Sequence, residues 1–140
     1  MKSYICTIIG IVGGAVSAAL GGWDLGLQVL LGFMAVDYVT GLIVAGVFHS
    51  SEKSETGGLQ SAAGWRGLLR KGVTLLIVYV SCQLDRLMNT SFIRDGVLIA
   101  YTANELLSIV ENAGLMGVPI PGAIRRAIDI LKDEEEEENV

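Results

Sequence analysis

Apolar and polar positions fall in long blocks along the chain. Tyr4 to Leu20 contains no charged residue, and Leu25 to Phe48 contains one, Asp37. A helix of about 17–25 residues crosses the hydrocarbon core of a bilayer, so these blocks predict spans over residues 4–20 and 25–48. A third apolar block, Gly72 to Leu84, is short and takes Trp65 to Lys71 as an interfacial or snorkelling lead-in, giving a span over about 65–84. A fourth, over about 92–111, carries Arg94, Asp95, Asn104 and Glu105. Residues 49–64 between spans two and three are polar and rich in Ser and Gly, which predicts a loop. In segment 113–132, Gly117, Pro119 and Pro121 mark a helix-breaking turn. Ile120, Ile124, Ala127, Ile128 and Leu131 then recur at helical spacing opposite Arg125, Arg126, Asp129 and Lys132, the pattern of an amphipathic helix. That helix either lies in the membrane interface or packs on its own protein. Residues 133–140 are a like-charge run, read as a disordered, solvated acidic tail. The fold class expected is an all-α membrane protein of about four transmembrane helices, with 1–112 as its membrane domain.

Composition sharpens this. The chain is 51% hydrophobic and only 18% charged, against about 25% charged in soluble domains. Six of its 15 acidic residues lie in 133–138, so the net charge of −5 describes the tail and says little about partners. A strongly basic nucleic-acid binder is excluded. The positive-inside rule, which played no part in drawing the spans, orients them. With both ends cytoplasmic, the inner side holds Lys2, Lys53, Arg66, Arg70, Lys71, Arg125, Arg126 and Lys132, and the outer side Arg86 and Arg94. Eight against two supports four spans, N-in and C-in, rather than three. Lys2 and the run ending near Ala19 also resemble a signal peptide, but a second long span follows rather than a soluble domain, which favours an uncleaved first span. Cys6 and Cys82 lie in apolar runs and read as small buried hydrophobes. His49 has no ligand neighbours at zinc spacing, and no nucleophile–base pair or phosphate loop is present. No enzyme, metal or cofactor is expected.

The polar atoms inside the apolar blocks are the candidate chemistry. Asp37 lies near the middle of span two, where an Asp costs about 2.5–3.5 kcal/mol to insert. No basic residue is expected at its depth, so Asp37 is protonated, bonded to neighbours such as Thr40 or Tyr38, or facing water. In span four, Tyr101, Asn104, Glu105, Ser108, Glu111 and Asn112 form a polar stripe opposite Ile99, Ala103, Leu106, Leu107 and Val110. Hydrocarbon offers such a stripe no partners. It is either a buried seam, with Glu111 pairing Arg70 or Lys71, or a surface that lines a pore when copies assemble. Span one carries instead Gly10, Gly14 and Ala18 at four-residue spacing, a ridge on which helices can approach closely.

The order of features resembles the toxin-secretion and phage-lysis holin family, which includes clostridial toxin-release holins. The matching pieces are Asp37-Tyr38-Val39-Thr40-Gly41, the run from Ser61 through Gly64, Arg66, Gly67, Arg70 and Lys71 to Gly72, the stretch Asn104 to Asn112, and the turn Gly117 to Pro121 with its terminal helix. They cover about residues 25–131, and span one matches only as an apolar helix. The resemblance implies a multi-pass protein of the host bacterial cytoplasmic membrane that forms homo-oligomers and opens lesions. Through these an endolysin, or a toxin, leaves the cell. An antiholin is an implied partner. The chain's acidic end departs from the basic tail of many holins, so no tail-based timing role carries over. Two other readings stay open: a small ion- or proton-coupled transporter using Asp37 or Glu105, and a non-permeabilising antiholin or regulatory subunit.

Overall fold

A computed structural model describes residues 1–49, 56–58 and 60–138. Among these the chain is all helical, with α1 at Lys2–Ala19, α2 at Leu25–Gly46, α3 at Ser61–Met88, α4 at Ile93–Leu115 and α5 at Gly122–Glu138. Three of them, α1, α2 and α3, are long and apolar enough to cross a membrane. At 23 residues α4 is long enough too, but its polar stripe keeps it out of that group.

The helix ends follow from local chemistry. Gly21 and Gly22 have φ of 94° and 108°, and their N–H groups donate to Ala18 O and Ser17 O, closing α1 in a Schellman cap. The Asp24 side chain then accepts from Leu27 N at 3.0 Å and starts α2. Asn89 ends α3 in the left-handed region at φ 55°. Asp85, still on α3, reaches across this turn to accept from Thr90 Oγ1, Ile93 N and Arg94 N, so it caps α4 from outside that helix. Gly117 at φ 76° repeats the Schellman arrangement, with Val118 N donating to Ala113 O and Gly117 N to Gly114 O.

Helix α4 is the centre of the molecule. It packs along α2 most extensively and against α3 and α5, whereas α2 and α3 meet over a short stretch. Leu20, Leu27, Leu30, Met34, Val78 and Leu98 form the apolar core, with Leu31, Leu75, Val97 and Tyr101 around it. Outside that core the distribution is inverted relative to a soluble protein. Buried positions include Asp37, Ser81, Asp85, Arg94 and Asn112, while Ile8, Ile11, Val73, Leu76 and many other large apolar side chains are exposed. Such an exterior suits hydrocarbon rather than water. Helix α1 buries no residue along its length.

Two expectations change. Cys6, read as a small buried hydrophobe, is exposed, while Cys82 is buried as expected. Residues 133–138, read as part of a disordered tail, continue α5 as helix to Glu138; residues 139 and 140 lie outside the described residues. Glutamate is a good helix former, and a run begun by the apolar face of α5 propagates through it at little cost. That face docks on α4, with Ile128 buried, while Ile130 remains exposed.

Gly21 provides a direct check on the α1–α2 corner. A Cβ there would overlap the Arg94 side chain, and the backbone is left-handed. Gly21→Ala is expected to lower stability by at least about 1–2 kcal/mol, read as a fall in Tm of the detergent-solubilised chain. Gly22→Ala meets no atom within 4 Å and is expected to show the backbone part alone.

Candidate functional site

The site is built where α2, α3 and α4 face one another. Lys71 Nζ donates to Asp37 Oδ2 and to Glu105 Oε2, both at 2.7 Å. The three side chains are 16%, 7% and 14% exposed, so this is a largely buried cluster of two carboxylates on one ammonium. Asn112, one face down α4 from Glu105, donates through Nδ2 to Asp37 Oδ1 at 3.1 Å, to Asp37 O at 3.2 Å and to Thr40 Oγ1 at 2.9 Å. Thr40 in turn donates to Val36 O. Asp37 therefore ties α2 to both neighbouring helices. At 1.5 Å per residue it lies about 18 Å along α2 from Leu25.

The expectation that no basic residue reaches Asp37 is thus overturned. The apolar block beginning at Gly72 hides Lys71, which lies inside α3 with a stem long enough for its ammonium to reach both carboxylates. Nor does Glu111 pair with Arg70 or Lys71. It is exposed and has no ion pair among the described residues. The buried seam exists, held by Glu105 and Asn112 instead.

A cavity of about 230 Å³ adjoins the cluster, lined by Asp37, Lys71, Thr74, Glu105 and Ser108 on one side and by Tyr38, Gly41, Gly64, Gly67 and Arg70 on the other. It occupies the gap where α2 and α3 diverge. Gly64 and Gly67 lie against Tyr38: a Cβ at Gly64 would stand 3.4 Å from its hydroxyl and one at Gly67 3.8 Å from its ring, while one at Gly41 would stand 3.8 Å from Asn112 Nδ2. The motif positions Gly41, Gly64, Gly67, Lys71 and Asn112 thus surround one place, whereas Ser61 and Arg66 are exposed at the start of α3 and Pro119 and Pro121 shape the α4–α5 turn.

The polar stripe of α4 divides. Tyr101 packs against the apolar core, Glu105 and Ser108 face the cavity, and Asn112 is buried. Asn104 and Glu111 lie on the exposed flank. Gly10 and Gly14 have no atom within 4 Å of a built Cβ and Ala18 is exposed, so among the described residues the ridge of α1 stands open at Gly10 and Gly14.

A second buried charge, unsuspected in the sequence, sits at the opposite end. Arg94 is 7% exposed. Its Nε donates to Leu20 O at 2.6 Å, its Nη2 to Gly22 O at 3.3 Å, and its Nη1 and Nη2 to the Asp24 carboxylate at 2.6 Å and 3.1 Å. The guanidinium holds the Asp24 carboxyl below its ordinary range. Arg86 Nη2 adds a bond to Ala18 O at 3.3 Å. The only sequence signal was the Gly21-Gly22 pair, which marks a corner open enough for a long side chain to reach backbone oxygens. Among the described residues no group of His, Cys, Asp and Glu could hold a metal ion.

The sequence profile described as the bacteriophage holin family matches residues 14–133. A protein of Halalkalibacterium halodurans is 35% identical over 96% of this chain and 98% of its own length. One from Clostridium perfringens is 37% identical over 92% of this chain and 93% of its own. A protein of Bacillus phage phi105 named "Probable holin" is 30% identical over 79% of this chain and 77% of its own. No solved structure matches. With the profile spanning α2 to α5, including every residue of the Asp37–Lys71–Glu105–Asn112 cluster, the chain belongs to the bacteriophage holin family.

Proposed function

We propose that the chain accumulates in the bacterial cytoplasmic membrane as a four-span protein, N-in and C-in, and oligomerises there. It then opens lesions that release an endolysin, or a toxin, and lyse the host cell. The observation that carries this reading is the Lys71-centred cluster beside a cavity in the gap between α2 and α3. Two carboxylates and an ammonium at bilayer depth are tolerable only paired or in water. In separate copies the pairing holds the helices together. In an opened assembly α3 moves away from α2, and Asp37, Lys71, Glu105 and Ser108 turn to water as the polar lining of the lesion, with Tyr101 and Thr40 at its edges.

The Arg94 clasp supports α4 as a fourth span. It joins the α1–α2 corner to the α3–α4 turn, so both connections lie at one end, as four antiparallel crossings require. Removing Lys71 and its helical neighbour Arg70 from the inner basic residues leaves six against two, the same orientation.

The test is inducible expression with and without a cytoplasmic endolysin, following optical density. Abrupt lysis that needs the endolysin is expected; silence at full accumulation overturns the reading in favour of an antiholin. Asp37→Asn and Glu105→Gln, at matched membrane levels, are expected to shift the onset of lysis, and unchanged timing in both removes the cluster from the mechanism. The cavity beside two carboxylates also suits a proton-coupled transporter. In liposomes that alternative moves protons while retaining an endolysin-sized dye, whereas a holin releases the dye.

A further inference from the structure

The polar residues of α4 fall on two faces. At 100° per residue, Tyr101, Glu105, Ser108 and Asn112 lie within about 60° of one another and look into the bundle. Asn104 and Glu111, two turns apart, lie on the adjoining flank, and both are exposed. Asn104 has no hydrogen-bond partner among the described residues. It stands about 16 Å along α4 from Ile93, close to the middle of a hydrocarbon core of about 30 Å. Thr7, Thr40 and Thr74 answer their hydroxyls within their own helices, donating to Ser3 O, Val36 O and Arg70 O. The Asn104 carboxamide has no such outlet, and lipid supplies none.

We infer that the outer flank of α4, centred on Asn104, is a surface on which two copies of this chain meet in the membrane, the two Asn104 carboxamides hydrogen-bonding to each other. This rests on the four-span reading above. The occupant follows from the chemistry of the group. A carboxamide carries donors and acceptors together, so an identical carboxamide is its complement. Copies inserted in the same orientation hold Asn104 at the same depth, and two α4 helices lying side by side bring the pair into register. Ala100, one turn earlier on the same flank, is small enough for close approach. The Lys71 ammonium is not on offer as a partner, because Asp37 and Glu105 engage it. Glu111 lies two turns nearer the inner surface, where water screens its charge.

The test uses the full chain with Cys6→Ser and Cys82→Ala and with Asn104 kept, carrying either Ala100→Cys on the same flank or, as a control on the exposed face of α3 at comparable depth, Leu76→Cys. Oxidation in intact membranes is expected to give at least fivefold more disulfide dimer at position 100 than at position 76. Equal or lower yield at 100 overturns the seam. So does labelling of position 100 by a membrane-impermeant maleimide without dimer formation, which assigns the flank to water. In the chain with its native cysteines, an amine-reactive crosslinker is expected to trap several-fold less dimer for Asn104→Leu than for Asn104→Gln, which keeps the amide; equal trapping overturns the seam. Lysis and amine-crosslinked oligomers without disulfide at 100 place the contact elsewhere and leave the holin reading standing. Absence of both lysis and every crosslinked species removes that reading, and the seam with it.

Discussion

Lys71→Met is expected to destabilise the helical body more than any other single substitution, by about 3–5 kcal/mol, seen as a lower Tm in detergent and reduced accumulation in membranes. The physical reason is asymmetry. Lys71 Nζ is the cation shared by Asp37 and Glu105, so its removal leaves two carboxylates side by side in a low-dielectric gap. Neither has another basic side chain within ion-pair distance among the described residues. Asn112 bonds to Asp37 but brings no charge. Because the loss comes from uncompensated charge rather than from lost packing, it is reversible. Lys71→Met combined with Asp37→Asn and Glu105→Gln is expected to recover most of the stability. A buried ionic cluster replaced whole by neutral groups is often neutral, and strong non-additivity is the signature of residues acting as one unit. A triple variant as unstable as Lys71→Met alone would mean that the Lys71 stem, not its charge, holds α3 in place.

Arg94→Met is expected to cost about 2–4 kcal/mol, the range for truncating one partner of a buried, hydrogen-bonded charge. Methionine keeps much of the apolar volume but loses the bonds to Leu20 O, Gly22 O and Asp24. The carbonyl oxygens that the guanidinium reaches are then left unmatched at the corner. Protease access to the segment 20–24 is expected to rise, while the Lys71 cluster at the far end keeps its pairing. Arg94→Lys is expected to recover only part of the loss, since an ammonium cannot reach three acceptors along the planar fork that arginine uses. The clasp also carries a pH dependence. The Asp24 carboxyl is held below its ordinary range by Arg94, so its contribution is fully present above the ordinary carboxylate range near pH 4. It fades as pH falls through the lower value of the folded state. Asp24 is half exposed, so this share is the smaller part of the clasp, and in Asp24→Asn the acid-side loss is expected to flatten.

The two charge clusters show what the sequence made legible. Blocks of uncharged residues marked α1 and α2 closely, because crossing length and apolarity are local properties. The stripe on α4 was visible as periodicity. What periodicity does not give is which side of the stripe meets which neighbour: Asn104 and Glu105 are adjacent in sequence, yet one is exposed and the other is bound to Lys71. Lys71 itself was hidden by its position beside an apolar block, where a basic residue ordinarily ends a span. A depth count would have found it. Asp37, Lys71 and Glu105 are spaced by 34 residues each time, the separation that brings side chains on successive antiparallel helices to one level. Arg94 was less accessible still, since three of its acceptors lie in a backbone corner and in a cap that sequence pattern marks only by two glycines. The continuation of α5 through its glutamates is hidden in the sequence for a different reason: a like-charge run signals repulsion, while the helix preference of glutamate acts only once a helix precedes it.

One feature of the architecture bears on how such a molecule can change company. Helix α1 is bare along its whole flank and is fastened to the rest chiefly at its last turn, through Arg86 and Arg94. On the four-span reading, a neighbour that settles on its open stretch displaces lipid and leaves the bonds at its last turn alone. Recruitment and internal cohesion are thereby drawn from separate accounts of surface: a crowd can gather on the outer rod while each member stays intact.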